Sequence, residues 1–306
     1  MTKKQLFFLF GFGLAGLLLY LPEAIPGEIY FIDAHSQADE EIDRDELIRR
    51  MDAAGIRKTI LSARRKRRAF DVADWSEVYP DRLIASVRVK SKHYIRNTKK
   101  FYNKLNKQLK SNRFNAISEV LLYHAQKGEL APEVIVYPDD KRVDTVLKAA
   151  KKHNWPVVIH IEFAAIHGAM REKFYSKMEK LVAQHPQQAF CLIHMGQLKA
   201  NEVSTLINKH RNLFFITSHS NPYAVHRSKQ PWMNMFNKNK LSPAWRDLTI
   251  KHPDRFIFAL DNVWGEHWRN NYTEQVELWR QALQDLPAKV AHAIAHKNAE
   301  RLWHIK

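Results

Sequence analysis

The chain has 306 residues, 45% of them hydrophobic and 26% charged, with eight Trp. That is enough to bury a sizeable core, and it excludes a disordered chain. One cysteine, Cys191, excludes an intrachain disulfide, and a formal net charge of +17 marks a surface that attracts anions.

Lys3-Lys4 precedes an apolar stretch from Leu6 to Leu21, which Pro22 ends. Positive charge, apolar run and breaker is the order of an export segment. Residues 1–26 are therefore expected to be a cleaved signal peptide or a short retained anchor. The two lysines would hold the N-terminus in the cytoplasm. The rest of the chain would then be exported, periplasmic or tethered to the inner membrane, with membrane association through residues 6–21.

From residue 27 to residue 306, apolar runs alternate with amphipathic stretches. Strand-like runs lie at 29–34, 58–62, 83–89, 115–122, 156–161, 189–194, 213–218 and 256–260. Helical patterns lie at about 44–54, 71–79, 93–111, 140–153, 170–184, 200–209 and 243–252. Two more, 274–285 and 288–303, close the chain. Ser242-Pro243 is a helix-start signal, with Ser as N-cap and Pro at the first position. Eight βα units predict an α/β fold, a (β/α)8 TIM barrel over 27–306. An open doubly wound sheet usually carries a Gly-rich first turn, and here the first run continues into Asp-Ala-His-Ser-Gln. No repeat, linker or sign of oligomeric state stands out. Cys191, inside the sixth run, reads as core.

Several of these runs end in polar residues. The first contains Asp33-x-His35-x-Gln37, the fourth ends in Glu119 and the fifth in His160. The sixth ends in His194 and the eighth in Asp261. One such ending means little. In a parallel barrel, however, all C-terminal strand ends meet at one mouth, so these side chains are expected to converge. Neutral imidazoles with a carboxylate suit a borderline divalent metal. Ser218-His219-Ser220 ends the seventh run on the same face. Glu162 and His167 follow His160 on the same loop, where both could line the pocket, with a plain loop role the leading reading.

The pattern resembles the amidohydrolase superfamily, whose first strand opens Asp-x-His-x-His. The tail His296-Lys-Asn298-Ala-Glu-Arg301-Leu-Trp303 is similar to the closing helix of its amidohydrolase-related branch, which includes aminocarboxymuconate-semialdehyde decarboxylase. The resemblance spans about residues 28–306. It implies a divalent metal, commonly zinc with manganese as the alternative, held by His35, His160 and Asp261, with Gln37 and Glu119 at the remaining positions. It also implies that Asp261 and His194 move protons, with His194 able to ligate instead, around a metal-activated water. Gln37 departs from the pattern, because it stands where the family has its second histidine and an amide oxygen is a weak zinc ligand. A complete metal site, a harder or looser ion, and a metal-free lactonase-like site all remain open.

Between Arg57 and Arg113 the sequence has 18 basic and 4 acidic residues. Arg64, Arg65 and Arg88 follow or end the second and third strands, where they are expected to emerge at the mouth and bind an anionic substrate, with His219 beside them. The leading expectation is an exported, metal-dependent hydrolase of a small carboxylated or phosphorylated compound. A decarboxylase or other lyase, and a non-catalytic anion-binding barrel, are the alternatives. The aromatics of the basic region form no stacking platform, so no nucleic-acid partner is expected.

Overall fold

Eight parallel strands curl into a closed barrel in the computed structural model, which describes residues 29–128, 131–227 and 230–306. The expected export segment lies outside the described residues. Among these, no helix is long and apolar enough to cross a membrane. The strands are β1 (Phe31–Ala38), β2 (Ile56–Ala63), β3 (Leu83–Val87), β4 in two pieces (Ala116–Ile117 and Val120–His124), β5 (Val157–Ile161), β6 (Phe190–Leu192), β7 (Leu213–Ile216) and β8 (Phe256–Ile257).

The ladder runs without a break in direction. The first piece of β4 pairs with β3, and the second pairs with β5. Beyond β8 the backbone still bonds to β1: Ala34 N donates to Phe258 O (3.1 Å), Asp261 N to His35 O (2.9 Å), and Gln37 N to Asn262 O (2.7 Å). These bonds close the barrel, and closure removes the sheet edges that would otherwise be exposed.

A bulge in β1 decides which way the candidate site residues point. Asp33 pairs with Thr59 and Ser36 with Leu61, so β1 spends one more residue than β2 over this span. Ile32 and Ala34 pack in the inner cluster with Ile257 and Ala259. The extra residue switches the alternation, and His35 and Gln37 then also face inward. The Asp33 carboxylate holds the bulge. It accepts from His35 N (3.2 Å), from Ser36 Oγ (2.5 Å) and, across the closure, from Leu260 N (3.1 Å).

The strand ends depart from the sequence expectation locally. The run 189–194 stops early because the chain turns left-handed at His194 (φ 54°), and the run 256–260 leaves the β7 ladder after Ile257, where Phe258 N donates to Ile294 O (3.0 Å) and Ala259 N to Thr217 Oγ1 (3.3 Å). The run 115–122 is interrupted at Ser118-Glu119, where Val89 N donates to Ser118 Oγ (3.1 Å). The helical stretch 93–111 is two helices, Lys92–Ile95 and Lys99–Lys110, because Asn97 between them is left-handed (φ 50°).

The outer core lies between the barrel and its helices, among them Arg44–Ala54, Lys141–His153, Gly168–Gln184 and Tyr272–Gln284. The inner core is small and is plugged from below by the last helical stretch, whose Ala299, Leu302 and Trp303 pack against it. Asn298 in that stretch donates to Pro253 O (2.7 Å) and Phe256 O (2.8 Å), tying the plug to the start of β8.

Replacing Asp33 by Ala leaves two buried backbone donors and a buried hydroxyl without their acceptor. The expected cost is about 2–4 kcal/mol in urea unfolding, of the order set by several lost buried hydrogen bonds. A cost below about 0.5 kcal/mol, within the range of an ordinary surface change, would show that the carboxylate does not hold the bulge.

Candidate active site

The side chains at the upper strand ends fall into two groups. The first is built on Glu119, which the break in β4 turns into the barrel. Its carboxylate receives Lys90 Nζ (2.8 Å) and Gln37 Nε2 (3.3 Å), and faces His160 Nδ1 (2.7 Å). The other ring nitrogen of His160 lies 3.0 Å from Glu162 Oε1. Glu162 in turn accepts from Lys127 Nζ (2.6 Å) and Ala125 N (2.8 Å). Burial alone would raise both carboxyls. Lys90 and His160 instead hold Glu119 well below the usual range, and His160 and Lys127 do the same for Glu162. His124 stacks on His160 with centroids 5.3 Å apart, and burial pushes it down to about 3.

The second group surrounds Asp261. His35 Nε2 lies 3.4 Å from its Oδ1, His194 Nε2 lies 3.4 Å from its Oδ2, and His219 Nδ1 lies 3.9 Å from its Oδ2. These three nitrogens are buried and have no hydrogen-bond partner among the described residues. Burial pushes His219 down to about 4 and His194 well below the ordinary imidazole range, so both rings carry a lone pair at neutral pH. Burial would raise Asp261, but the facing His35 and His219 hold it low. Trp232 stands edge-on to His194 and His219, 4.9 Å from each, and Lys127 lies 4.4 Å from the Trp232 ring.

Gln37 joins the two groups. Its Nε2 donates to Asp261 Oδ1 (2.9 Å) as well as to Glu119, and its Oε1 accepts from Arg64 (3.3 Å). Arg64 has no lone pair to offer and the carboxylates have no hydrogen, so these neighbours fix which way the amide points.

The structure therefore brings His35, Gln37, Glu119, His160, His194, His219 and Asp261 to one mouth. The three arginines separate. Arg64 reaches the site, stacked on Trp264 at 4.5 Å with its buried Nε unpartnered among the described residues. Arg65 stays at the rim opposite Glu41. Arg88 turns away and donates to Lys90 O, Arg65 O and Arg67 O, so it braces the loop after β2 and does not line the pocket. Glu162, read from sequence as a loop residue, is fully buried in the site. His124, Lys127 and Trp232 were not foreseen. His124 had a legible signal, since it is the polar end of the same strand as Glu119, whereas Lys127 and Trp232 arrive on loops without periodicity. A cleft of about 470 Å³ opens between the loops after β7 and β8, lined by Tyr223, His226, Arg227, Glu266 and His267 among others.

A divalent ion fits the donors present. Three buried, unpartnered imidazole nitrogens around one low-pKa carboxylate form the set that such an ion takes, and His194, His219 and Asp261 have donor atoms within 4.8 Å of one another. His124, His160 and Glu162 form a second such group, but His160 already faces a carboxylate on each side.

Residues 124–305, more than half of the chain, match the amidohydrolase family profile. No match was found among curated proteins. Three solved structures share the fold. An uncharacterised TIM-barrel protein from Bordetella bronchiseptica is 13% identical with a TM-score of 0.63, covering 90% of this chain and 99% of that one. The 4-oxalomesaconate hydratase of Rhodopseudomonas palustris is 16% identical with a TM-score of 0.57, covering 90% and 96%. The dihydroorotase of Saccharomyces cerevisiae, solved with 5-fluoroorotic acid, is 12% identical with a TM-score of 0.57, covering 91% and 85%.

Replacing Glu119 by Gln strands Lys90 and His160 without their anionic partner. Breaking a buried pair in this way costs about 3–5 kcal/mol, which urea unfolding at pH 7 should read. A carboxyl depressed in the folded state stabilises at all pH above its unfolded value, about 4.3, and loses that contribution as pH falls through the folded value. The gap between wild type and variant should therefore be flat from pH 5 to 8 and narrow only in stronger acid. A gap that narrows between pH 8 and 6 would contradict the assignment.

Proposed function

The chain belongs to the amidohydrolase family, and on that footing we propose that it hydrolyses a small carboxylated compound at the mouth of the barrel. The observation that carries this reading is the Asp261 carboxylate, ionised and ringed by three unpartnered imidazole nitrogens. A lone core histidine would have found a partner; three beside one carboxylate are arranged for a reacting group.

Each residue has a distinct task. Asp261 is the general base that takes a proton from the attacking water, and it returns that proton to the leaving group. His194, kept neutral by burial and anchored through Nδ1 to Ser218, presents Nε2 to the Asp261 carboxylate. Arg64 binds the substrate carboxylate, because its buried Nε is unpartnered and its guanidinium already borders Gln37. The cleft between the loops after β7 and β8 offers room for the rest of the molecule, and Arg227 adds positive charge there. A bound divalent ion, zinc on the strength of the nitrogen-rich donors, would polarise the substrate carbonyl and make a nearby water more acidic. The carboxylated substrate is further supported by relatives of the same fold whose names and bound ligand are carboxylates, 4-oxalomesaconate and 5-fluoroorotic acid. From Lys3-Lys4 and the apolar run 6–21 we infer that the enzyme works outside the cytoplasm.

The test is a screen of carboxylated lactones, esters and cyclic amides with chelated and metal-loaded protein. Asp261→Asn should lower kcat by about 10²–10⁴, the usual contribution of a positioned base. Arg64→Ala should act mainly on KM, as loss of ground-state binding does. If Asp261→Asn keeps wild-type kcat on a substrate that turns over, the assignment of the base fails. Secretion is checked separately, by fractionating cells that express the full chain.

A further inference from the structure

The family resemblance gives the second inward position of β1 to a metal ligand, and here that residue is Gln37. Its amide is fully engaged, with Nε2 donating to Asp261 and Glu119 and Oε1 accepting from Arg64. His160 is engaged too, with carboxylate oxygens at 2.7 and 3.0 Å from its two nitrogens. Both of its nitrogens therefore face carboxylates of the protein, Glu119 on one side and Glu162 on the other. Two positions of the implied donor set are thus turned to other work.

The seventh strand supplies a replacement. His219 Nε2 lies 3.1 Å from Asp261 O, and its Nδ1 faces the Asp261 carboxylate unpartnered among the described residues. His194 repeats the arrangement: Nδ1 lies 3.1 Å from Ser218 O, and Nε2 faces the same carboxylate. One nitrogen anchored on a carbonyl and the other left bare is how ligating histidines are oriented. The two rings stack beside this carboxylate, with centroids 4.5 Å apart and planes 3° from parallel. His194 and His219 face the same oxygen of Asp261, Oδ2, at 3.4 and 3.9 Å, whereas His35 faces Oδ1, and the donor atoms of His194, His219 and Asp261 all lie within 4.8 Å of one another.

The backbone points to the same residues independently. His194, His219 and Asp261 are all left-handed, at φ 54°, 53° and 51°. A non-glycine residue held there costs of order 1 kcal/mol or more, and such conformations cluster at functional sites. Three successive strands accept it at the residue that faces the centre.

We propose that His219 is a metal ligand in this chain, completing with His194 and Asp261 the set that Gln37 and His160 have left. The proposal rests on the metal dependence proposed above, and it assigns a role to a seventh-strand residue that the resemblance leaves without one. Gln37 becomes a clamp that orients Asp261 for the ion.

The experiment is a titration of chelator-treated full-length protein with Co²⁺, read by its visible absorption bands, with circular dichroism on every variant to establish folding. Wild type should take up one equivalent. His219→Gln and His194→Gln should weaken binding by more than the roughly 10–100-fold that losing an outer hydrogen bond costs a metal site. Gln37→Ala and His160→Gln should stay within that range. A folded His219→Gln that titrates like wild type, a folded His160→Gln that no longer binds, or a wild type that takes up no metal would each overturn the proposal. Hydrolysis by metal-free wild type would leave the roles of Asp261 and Arg64 standing while this assignment falls. Binding as described without turnover of any substrate would do the reverse.

Discussion

Everything at the mouth of this barrel depends on one buried carboxylate that takes no part in the chemistry. Asp33 accepts hydrogen bonds from His35 N, Ser36 Oγ and Leu260 N, which lie on both sides of the β1–β8 seam. It therefore fixes the bulge that re-aims β1 and joins the strand bearing His35 and Gln37 to the one bearing Asp261. Without the extra residue, strict alternation would carry His35 and Gln37 to the helix-facing side while Ile32 and Ala34 remained inside. The Asp-x-His-x-Gln spacing is in this sense a statement about backbone geometry before it is a statement about ligands.

The polar groups so gathered divide by whether their demands are met. Around Glu119, charges pair almost completely: Lys90, His160, Glu162 and Lys127 alternate in sign, and the buried carboxylates stay ionised because each faces a cation. Such a network is costly to break and cheap to leave alone, which makes it a rigid wall. Around Asp261 the balance is different. Three imidazole nitrogens are desolvated without compensation among the described residues, and the backbone beneath two of those histidines and the aspartate is held left-handed. Folding tolerates this strain because the surrounding barrel over-determines it. Unmet demand next to a rigid wall is the arrangement expected where a ligand is to be bound and transformed.

Much of this was legible in the sequence. Buried parallel strands read as continuous apolar runs, so the eight strands and their order were visible, as was the convergence of His35, Glu119, His160, His194 and Asp261. The bulge was not, because one extra residue in β1 leaves the apolar pattern of Ile29 to Ile32 unchanged. The early ends of β6 and β8 were hidden for a related reason: residues 193–194 and 258–260 continue the run in composition while the backbone leaves the ladder, by a turn at His194 and by Phe258 N bonding to Ile294 O. For Glu162 the sequence left pocket lining and a plain loop role open, because what buries it, Lys127 and Ala125 N, comes from the preceding βα loop. The arginines show the same limit. Arg64, Arg65 and Arg88 are alike in type and near one another in sequence, yet one reaches the site, one stays at the rim and one braces a loop through carbonyl oxygens. Charge runs locate a field, and only side-chain packing says which member of the run uses it.

Gln37 shows how a single departure can reorganise a site without dismantling it. A histidine there could present a lone pair to an ion; the amide presents hydrogens to two carboxylates and an oxygen to a guanidinium. The exchange couples three things that would otherwise be independent: the ionised state of Glu119, the orientation of Asp261 and the position of Arg64. An anion arriving at Arg64 competes with the Gln37 oxygen for the guanidinium, and Gln37 is the group that holds Asp261. The placing of Arg64 and the orientation of Asp261 thus meet in one amide, which follows from the donor and acceptor inventory alone. It also gives the local excess of basic residues a use at the centre, since Arg64 belongs to that run and lies one hydrogen bond from the residue that distinguishes this chain from the pattern it resembles.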